Sequence, residues 1–346
     1  MEKPYKHTNL PWPKAFLFIK YIGGGSKAHC SYAIREKDLH DAYASGETRE
    51  QKLRYAMDKI VVVKQMKLEA AAHELAPKEV RMMNILRSDS GPHHNRCSRL
   101  IEAADDYTWI VMTPIIGVNW CSFLYPEGDR YDIKYSELLM WHSFLQLFEI
   151  VYYLHSRETP IVHCDIHDEN LLVDTRVSDI SGLPNIMLVD FGNSMVCDRE
   201  TYNEVFRAPI CSFLPTLKEW SSSVQFVDIQ FAWDMVKLFP VVSRPWQGIT
   251  EDPQDYYDFE QFVDSWIQNE TCVIFPRRGN KLLIQEFFDI FGPIAYAKRA
   301  ALLEDEREKE EAAAILKDIR EAAAFELQTM LSPVFVEHCG PLPPEE

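Results

Sequence analysis

Two short stretches near the middle of the chain constrain its fold more than any other feature. Residues 161–170 read IVHCDIHDEN, and residues 188–192 read LVDFG. They contain Asp165, Asn170 and, after a short apolar run, Asp190. Transfer of a phosphoryl group needs a carboxylate beside the attacking hydroxyl and oxygen ligands for the Mg²⁺ ion on the phosphates. Asp165 suits the first role, and Asn170 and Asp190 suit the second as metal ligands.

The spacing of these residues resembles that of the protein kinase superfamily. H-C-D at residues 163–165, followed by Asn170, is similar to the catalytic loop H-R-D-x-x-x-x-N, and residues 190–192 match D-F-G. The resemblance implies an α+β, two-lobed protein-kinase-like fold with an antiparallel β-sheet small lobe and a helical large lobe. It also implies that ATP and Mg²⁺ bind in the cleft between the lobes.

A glycine-rich stretch precedes these motifs. A strand-like run at residues 15–22 leads into residues 23–30, which read GGGSKAHC. Glycines allow backbone N–H groups to approach phosphates closely. The stretch resembles the kinase glycine-rich loop, with alanine at the third glycine and cysteine at the following valine. By this resemblance, nucleotide contacts are expected at Gly23, Gly24, Gly25, Ser26 and Cys30.

The next predicted strand, residues 60–64, reads IVVVK and ends in a lysine. A lysine that closes a buried strand is costly unless it is paired. In the kinase resemblance, Lys64 contacts the nucleotide phosphates and pairs with a glutamate on the following helix. We predict that helix over about residues 68–86. Glu79 matches the family glutamate, and Glu74 is the alternative partner.

Further contacts to the nucleotide follow from the same resemblance. The second of two later predicted strands ends at Met112, at the back of the nucleotide site. Backbone groups near Thr113 and Ile115 would hold the adenine edge. Val62 and Leu172 would enclose the adenine ring.

Three positions depart from the kinase pattern. Cys164 replaces an arginine that normally contacts a phosphate on the activation segment, and a thiol cannot make that contact. His167 replaces a lysine that neutralises charge on the γ-phosphate, a task that a histidine performs only when protonated. Ile210 removes the glutamate that closes the activation segment. The family residues that remain are Lys64, Glu79, Asp165, Asn170 and Asp190.

Because these five residues are kept, we expect an active enzyme. Asp165, Lys64, Glu79 and His167 would take the catalytic roles. Two features favour a protein kinase over a small-molecule kinase. They are Ala-Pro at residues 208–209 and Asp228, which matches an aspartate that braces the catalytic loop in protein kinases. The most favoured activity is that of a serine/threonine protein kinase.

Two alternatives remain open. The histidine at position 167 and the lost arginine and glutamate also resemble the small-molecule kinases of the aminoglycoside phosphotransferase and choline kinase group. The same losses fit a pseudokinase that binds nucleotide and acts as a scaffold.

Charge and cysteine content limit the partners. The net charge is −17, which argues against non-specific binding to nucleic acid and favours a basic protein substrate. No stretch is long and apolar enough to span a bilayer, and no signal-peptide pattern follows Met1. The eight cysteines include no C-x-x-C pair, as expected for reduced thiols. We therefore predict an intracellular protein, cytoplasmic or nuclear, that binds neither nucleic acid nor membrane.

The C-terminal region combines many charged residues with an apolar stripe at helical spacing. This helix would pack back on the large lobe or bind a partner, and we expect Pro333 to end it. The stripe consists of Ala312, Ile315, Ile319, Ala323, Leu327 and Met330. The predicted units are a lead-in at 1–14, a small lobe at 15–113 with a partly helical insert at 35–58, a large lobe at 114–293, and a charged helix with a tail at 294–346.

Overall fold

The computed structural model describes most of the small lobe, part of the large lobe and the C-terminal helices. Ser26, His167, Ile210 and Asp228 lie outside the described residues, as does the rest of the activation segment after residue 196. The described residues are 12–25, 27–67, 70–88, 93–119, 136–166, 168–176, 179–180, 182–196 and 284–343.

Five antiparallel strands form the small lobe, hydrogen-bonded in the order β1-β2-β3-β5-β4. β3 lies at the centre and is buried along nearly its whole length, which suits its β-branched residues. Helix α3 (Ala70–Arg87) packs against this sheet. The strands are β1 (Phe16–Gly24), β2 (Ala28–Arg35), β3 (Ile60–Met66), β4 (Leu100–Ala103) and β5 (Trp109–Met112).

Two helices occupy the insert between β2 and β3. They are α1 (Glu36–Ser45) and α2 (Arg49–Met57). A capping box starts α2: the Thr48 hydroxyl accepts from the Gln51 N–H, and the Gln51 side chain accepts from the Thr48 N–H. The two helices pack against each other, and most of their charged residues face solvent. Lys52 of α2 is the exception among them: it is buried and donates to the Tyr43 carbonyl of α1.

The large lobe is built around helix α4 (Glu137–Ser156), most of whose described side chains are buried. Although α4 is apolar, no helix within the described ranges has the length and apolar character to cross a membrane. Helix α5 (Ile284–Glu304) packs on it. The large lobe also contains a three-stranded sheet, in the order β6-β8-β9, and a pair formed by β7 and β10. Asp165, Asn170 and Asp190 lie close to the ends of these strands. These strands are β6 (Gly117–Asn119), β7 (Ile161–Val162), β8 (Leu171–Asp174), β9 (Asn185–Leu188) and β10 (Met195–Val196).

One long helix, α6 (Glu306–His338), contacts both lobes. Its first half contributes Ala312 and Leu316 to the hydrophobic core around α4. Its second half enters a separate core formed by the small-lobe sheet, α1 and α2. The members of this second core include Ile34, Leu39, Leu53, Ile116, Leu327, Leu331 and Phe335.

The expectation that Pro333 ends this helix is wrong, because α6 continues to His338. A proline inside a helix removes one backbone hydrogen bond and costs about 3 kcal/mol. Val334 and Phe335, directly after it, are 4% and 0% exposed. Burial of these two side chains offsets the cost, since each contributes roughly 1.5–3 kcal/mol.

A buried polar cluster holds α4 in place. Arg96 donates to Glu149 at 2.5 Å and to Asp179 at 2.6 Å. His142 is fully buried, with Nε2 2.8 Å from the Pro184 carbonyl oxygen and Nδ1 3.4 Å from Nη1 of Arg299. Both contacts suit a neutral ring, in which Nε2 donates and Nδ1 accepts. Burial lowers the pKa of His142 to about 4.

Phe335→Ala should destabilise the protein by about 3–5 kcal/mol, because it opens a cavity where α6 meets the small lobe. Phe335 is 0% exposed and its ring lies 6.1 Å from that of Tyr43. Phe325→Ala is the matched control on the same helix, since Phe325 is 72% exposed. Denaturant unfolding measures both. Equal losses in the two variants would contradict the packing described for α6.

The stability of the wild type should fall as the pH drops below about 6.5. The unfolded chain then binds a proton at His142 that the folded protein does not bind until the pH approaches about 4. Between pH 7 and pH 5 this linkage amounts to about 2 kcal/mol. His142→Gln keeps a donor for Pro184 but cannot titrate, so its unfolding free energy should vary less over this range. Parallel curves for the two proteins would refute the assignment.

Candidate active site

Lys64 and Glu79 form a buried ion pair between β3 and α3. The Lys64 Nζ atom lies 2.8 Å from both Glu79 carboxylate oxygens, and the two residues are 6% and 1% exposed. Glu74, the alternative partner suggested by the sequence, is exposed. The ion pair therefore fixes α3 against the sheet through Glu79.

The same ammonium group also binds the D-F-G aspartate. Lys64 Nζ lies 2.8 Å from Oδ1 of Asp190. Asp190 has a φ of 63°, in the left-handed region that aspartate tolerates better than most residues, and its side chain accepts from the Gly192 N–H. A Cβ atom at position 192 would lie 3.2 Å from Oδ1 of Asp190. Glycine at this position thus keeps the space beside the carboxylate clear.

At Lys64 and Asp190, neighbouring charges shift the pKa more than burial does. Burial alone would lower the pKa of Lys64, but Glu79 and Asp190 raise it above its ordinary value. Partial burial would raise the pKa of Asp190, but the Lys64 ammonium holds it below its ordinary value. Burial raises the pKa of Glu79, and Lys64 opposes the shift. Lys64 and Asp190 are therefore both charged at neutral pH.

Two amide side chains fix Asp165. Asn193 Nδ2 donates to Asp165 Oδ2 at 2.8 Å, and Asn170 Nδ2 donates to the Asp165 carbonyl at 2.8 Å.

Cys164 stands at the position of the missing arginine. It has a φ of 76°, and its thiol donates to the Val162 carbonyl at 3.0 Å. The thiol thus makes a local backbone contact.

His163 packs the catalytic loop against the D-F-G segment. It is fully buried, its Nε2 lies 3.0 Å from the Val189 carbonyl oxygen, and its ring meets that of Phe191 edge-on at 4.8 Å. The Ser194 hydroxyl donates to the His163 carbonyl at 3.1 Å. The two motifs therefore behave as one packed unit that carries Asp165 and Asp190.

The glycine-rich turn between β1 and β2 is tightest at Gly24. A Cβ atom there would lie 2.6 Å from the Ala28 carbonyl oxygen. None of the described residues comes within 4 Å of a Cβ atom at Gly23 or Gly25. Steric crowding therefore explains Gly24, whereas Gly23 and Gly25 leave open space beside the backbone.

The predicted adenine contacts lie on strands of both lobes. Val62 is partly exposed although its neighbours in β3 are buried, and it is paired with Met112 on β5. Leu172 is partly exposed in the otherwise buried strand β8. Cys30 is the cross-strand neighbour of Lys64. Partly exposed apolar side chains in buried strands are suited to cover a flat ring.

Two backbone groups in the segment that joins the lobes already make hydrogen bonds. The Thr113 N–H donates to the Arg99 carbonyl at 3.0 Å. The Tyr32 hydroxyl donates to the Ile115 carbonyl at 3.3 Å. The groups suited to an adenine edge are therefore the Thr113 carbonyl and the Ile115 N–H.

The motif comparison misses two residues of this site. Asn193 directly follows D-F-G, and Lys27 lies in the glycine-rich turn. Lys27 Nζ donates to Asn193 Oδ1 at 3.0 Å, so Asn193 links the turn to Asp165. Neither position is defined by the quoted family patterns, and the two residues meet only through the fold.

Comparison with known proteins points to the same family as the sequence motifs. Residues 45–210 match the family model described as the protein kinase domain. The chain is also similar to serine/threonine-protein kinase pim-2 of Danio rerio, with 28% identity over 134 residues, which are 37% of this chain and 39% of that protein. The similarity therefore spans less than half of either protein. The predicted two-lobed α+β fold is confirmed, and both matches support the resemblance to the protein kinase-like superfamily that the motifs indicated.

Proposed function

We propose that this protein is an ATP- and Mg²⁺-dependent serine/threonine protein kinase. The observation that carries the proposal is the ammonium group of Lys64, which lies 2.8 Å from Glu79 of α3 and 2.8 Å from Asp190. Phosphoryl transfer depends on positioning and on charge stabilisation. This arrangement unites a cation for the phosphates with a carboxylate for the metal.

The donor set fits Mg²⁺. The Asp190 side chain is 45% exposed, and the Asn170 nitrogen is engaged by the Asp165 carbonyl, so the Asn170 oxygen is the atom suited to a cation. Among the described residues, no group of three or more His, Cys, Asp and Glu side chains could hold a metal by itself. One carboxylate and one amide, completed by nucleotide phosphates and water, suit this ion. When bound, Mg²⁺ would neutralise charge on the phosphates.

The adenine of ATP would lie between Val62 and Leu172, with its edge at the Thr113 carbonyl and the Ile115 N–H. Burial raises the pKa of the nearby Cys30 thiol to about 11. Cys30 therefore stays a neutral thiol at physiological pH and forms part of an apolar wall.

Asp165 would orient the acceptor hydroxyl and accept its proton. The hydrogen bond from Asn193 to Oδ2 fixes the orientation of this carboxylate. Such a group must lie within hydrogen-bond reach of the proton that it takes. The role of His167 beside the γ-phosphate stays a prediction.

A protein acceptor is supported by the similarity to a relative named as a serine/threonine-protein kinase. The net charge of −17 favours a basic substrate. We also infer an intracellular location, because the described cysteines are free thiols.

Asp165→Asn should lower phosphoryl transfer by about 10²–10⁴-fold, because the acceptor hydroxyl loses its base. The variant should still bind MgATP. Asp190→Ala should lower transfer and also weaken the dependence of nucleotide binding on Mg²⁺. Asp41→Asn on the exposed surface of α1 is the control. Radiolabelled phosphate transfer and calorimetric nucleotide binding measure these effects, and full activity in Asp165→Asn would contradict its role.

A basic protein such as a histone mixture should become labelled by the wild type with MgATP, with label on serine or threonine. A panel of aminoglycosides and amino alcohols provides the competing acceptors. Label only on a metabolite would support the small-molecule kinase instead. Binding of nucleotide with no transfer to any acceptor would support the scaffold.

A further inference from the structure

A lysine of the glycine-rich turn reaches the catalytic side of the cleft. The Lys27 Nζ atom lies 3.0 Å from Asn193 Oδ1, and Asn193 Nδ2 lies 2.8 Å from Asp165 Oδ2. Two hydrogen bonds through one amide thus connect a cation in the small lobe to the carboxylate proposed as the base. These three residues come from three separate segments of the chain.

The position of this ammonium group matches the path of the reaction. The acceptor hydroxyl would lie at Asp165, and the phosphates would lie beneath the turn and beside Lys64. The transferred phosphoryl group has to pass between these two places. Lys27 starts from the turn and reaches the Asp165 side through Asn193. Burial raises the pKa of Glu79, and the positive charge of Lys27 is one of those that oppose this rise. Its ammonium group therefore lies close to the charged centre of the cleft.

The sequence supplies a reason for a cation at this place. The charge that develops on the transferred phosphoryl group needs stabilisation. The kinase position that normally provides a lysine from the catalytic loop is His167 in this chain. A histidine provides positive charge only when it is protonated.

Resting on the proposed function, we propose that Lys27 binds the γ-phosphate of ATP and stabilises it during transfer. Lys27 is then a catalytic residue that replaces, from the opposite side of the cleft, the lysine lost from the catalytic loop. Asn193 is a positioning residue, since it orients Asp165 and holds Lys27 in the cleft until nucleotide binds.

The contact with Asn193 is easily exchanged for a contact with phosphate. The amide oxygen is neutral, whereas a phosphate oxygen is charged, and charge-assisted hydrogen bonds are roughly twice as strong as neutral ones. The lysine side chain is flexible and its ammonium group has three donors. Lys27 can therefore turn from Asn193 to the γ-phosphate while Asn193 continues to hold Asp165.

A second lysine beside the same turn offers a matched control. Lys67 Nζ donates to the Gly25 carbonyl at 2.6 Å and supports the backbone of the turn. Removal of Lys67 deletes one positive charge near the turn without removing the contact to Asn193. Lys67→Met therefore separates the general loss of charge from the specific loss of the Lys27 contact.

The test compares MgATP with MgADP, because only ATP carries the γ-phosphate. Calorimetry on the full chain should find that Lys27→Met binds MgATP about tenfold more weakly and binds MgADP as the wild type does, as expected for one charged hydrogen bond. Lys27→Arg should restore most of the MgATP affinity. Lys67→Met should leave the ratio of the two affinities unchanged.

Turnover provides the second readout. Lys27→Met should lower kcat by about 10–100-fold with little change in the KM for the acceptor. Equal effects on MgATP and MgADP, or no effect on either, would overturn the role of Lys27. If the wild type binds both nucleotides but transfers no phosphate, the proposed function fails while the affinity ratio still decides the γ-phosphate contact. If the wild type binds neither nucleotide, both proposals are wrong.

Discussion

The position of both lobes depends on one buried cation, the ammonium group of Lys64. A charge in this environment is tolerated only with close partners of opposite sign, and removal of one partner from a buried pair is strongly destabilising. Glu79 and Asp190 supply those partners from two different parts of the chain, each at 2.8 Å. Electrostatics therefore brings α3 and the D-F-G segment to the same point on the central strand.

The rest of the cleft is arranged around that point. Asp190 can face Lys64 because its left-handed backbone and Gly192 make room for the carboxylate. The buried ring of His163, packed against Phe191, then sets the distance between the D-F-G segment and the catalytic loop. The charged residues of the cleft are thus held in place by buried residues behind them.

Sequence patterns predict the parts of this site that local motifs encode. Lys64, Glu79 and Asp190 each stand at a recognisable position, and a buried lysine requires an acidic partner. The contact between Lys27 and Asn193 could not be predicted, because it joins residues 166 positions apart through side-chain conformation.

For α6, the local sequence predicts an end at Pro333 that the structure does not have. Burial of Phe335 favours continuation of the helix more than Pro333 opposes it. The predicted stripe on α6 also omitted Leu316 and Leu331, which face different cores.

The continuous course of α6 has a mechanical consequence. Its 33 residues form a single rod that is embedded at one end in the large lobe and at the other in the small lobe. The lobes therefore cannot separate like two halves joined only by a flexible connector, since opening would have to bend the rod or strip one end from its core. The free energy needed to widen the cleft therefore includes the cost of disturbing hydrophobic cores far from Lys64 and Asp190. The C-terminal helix thus partly sets how far the two lobes can move apart.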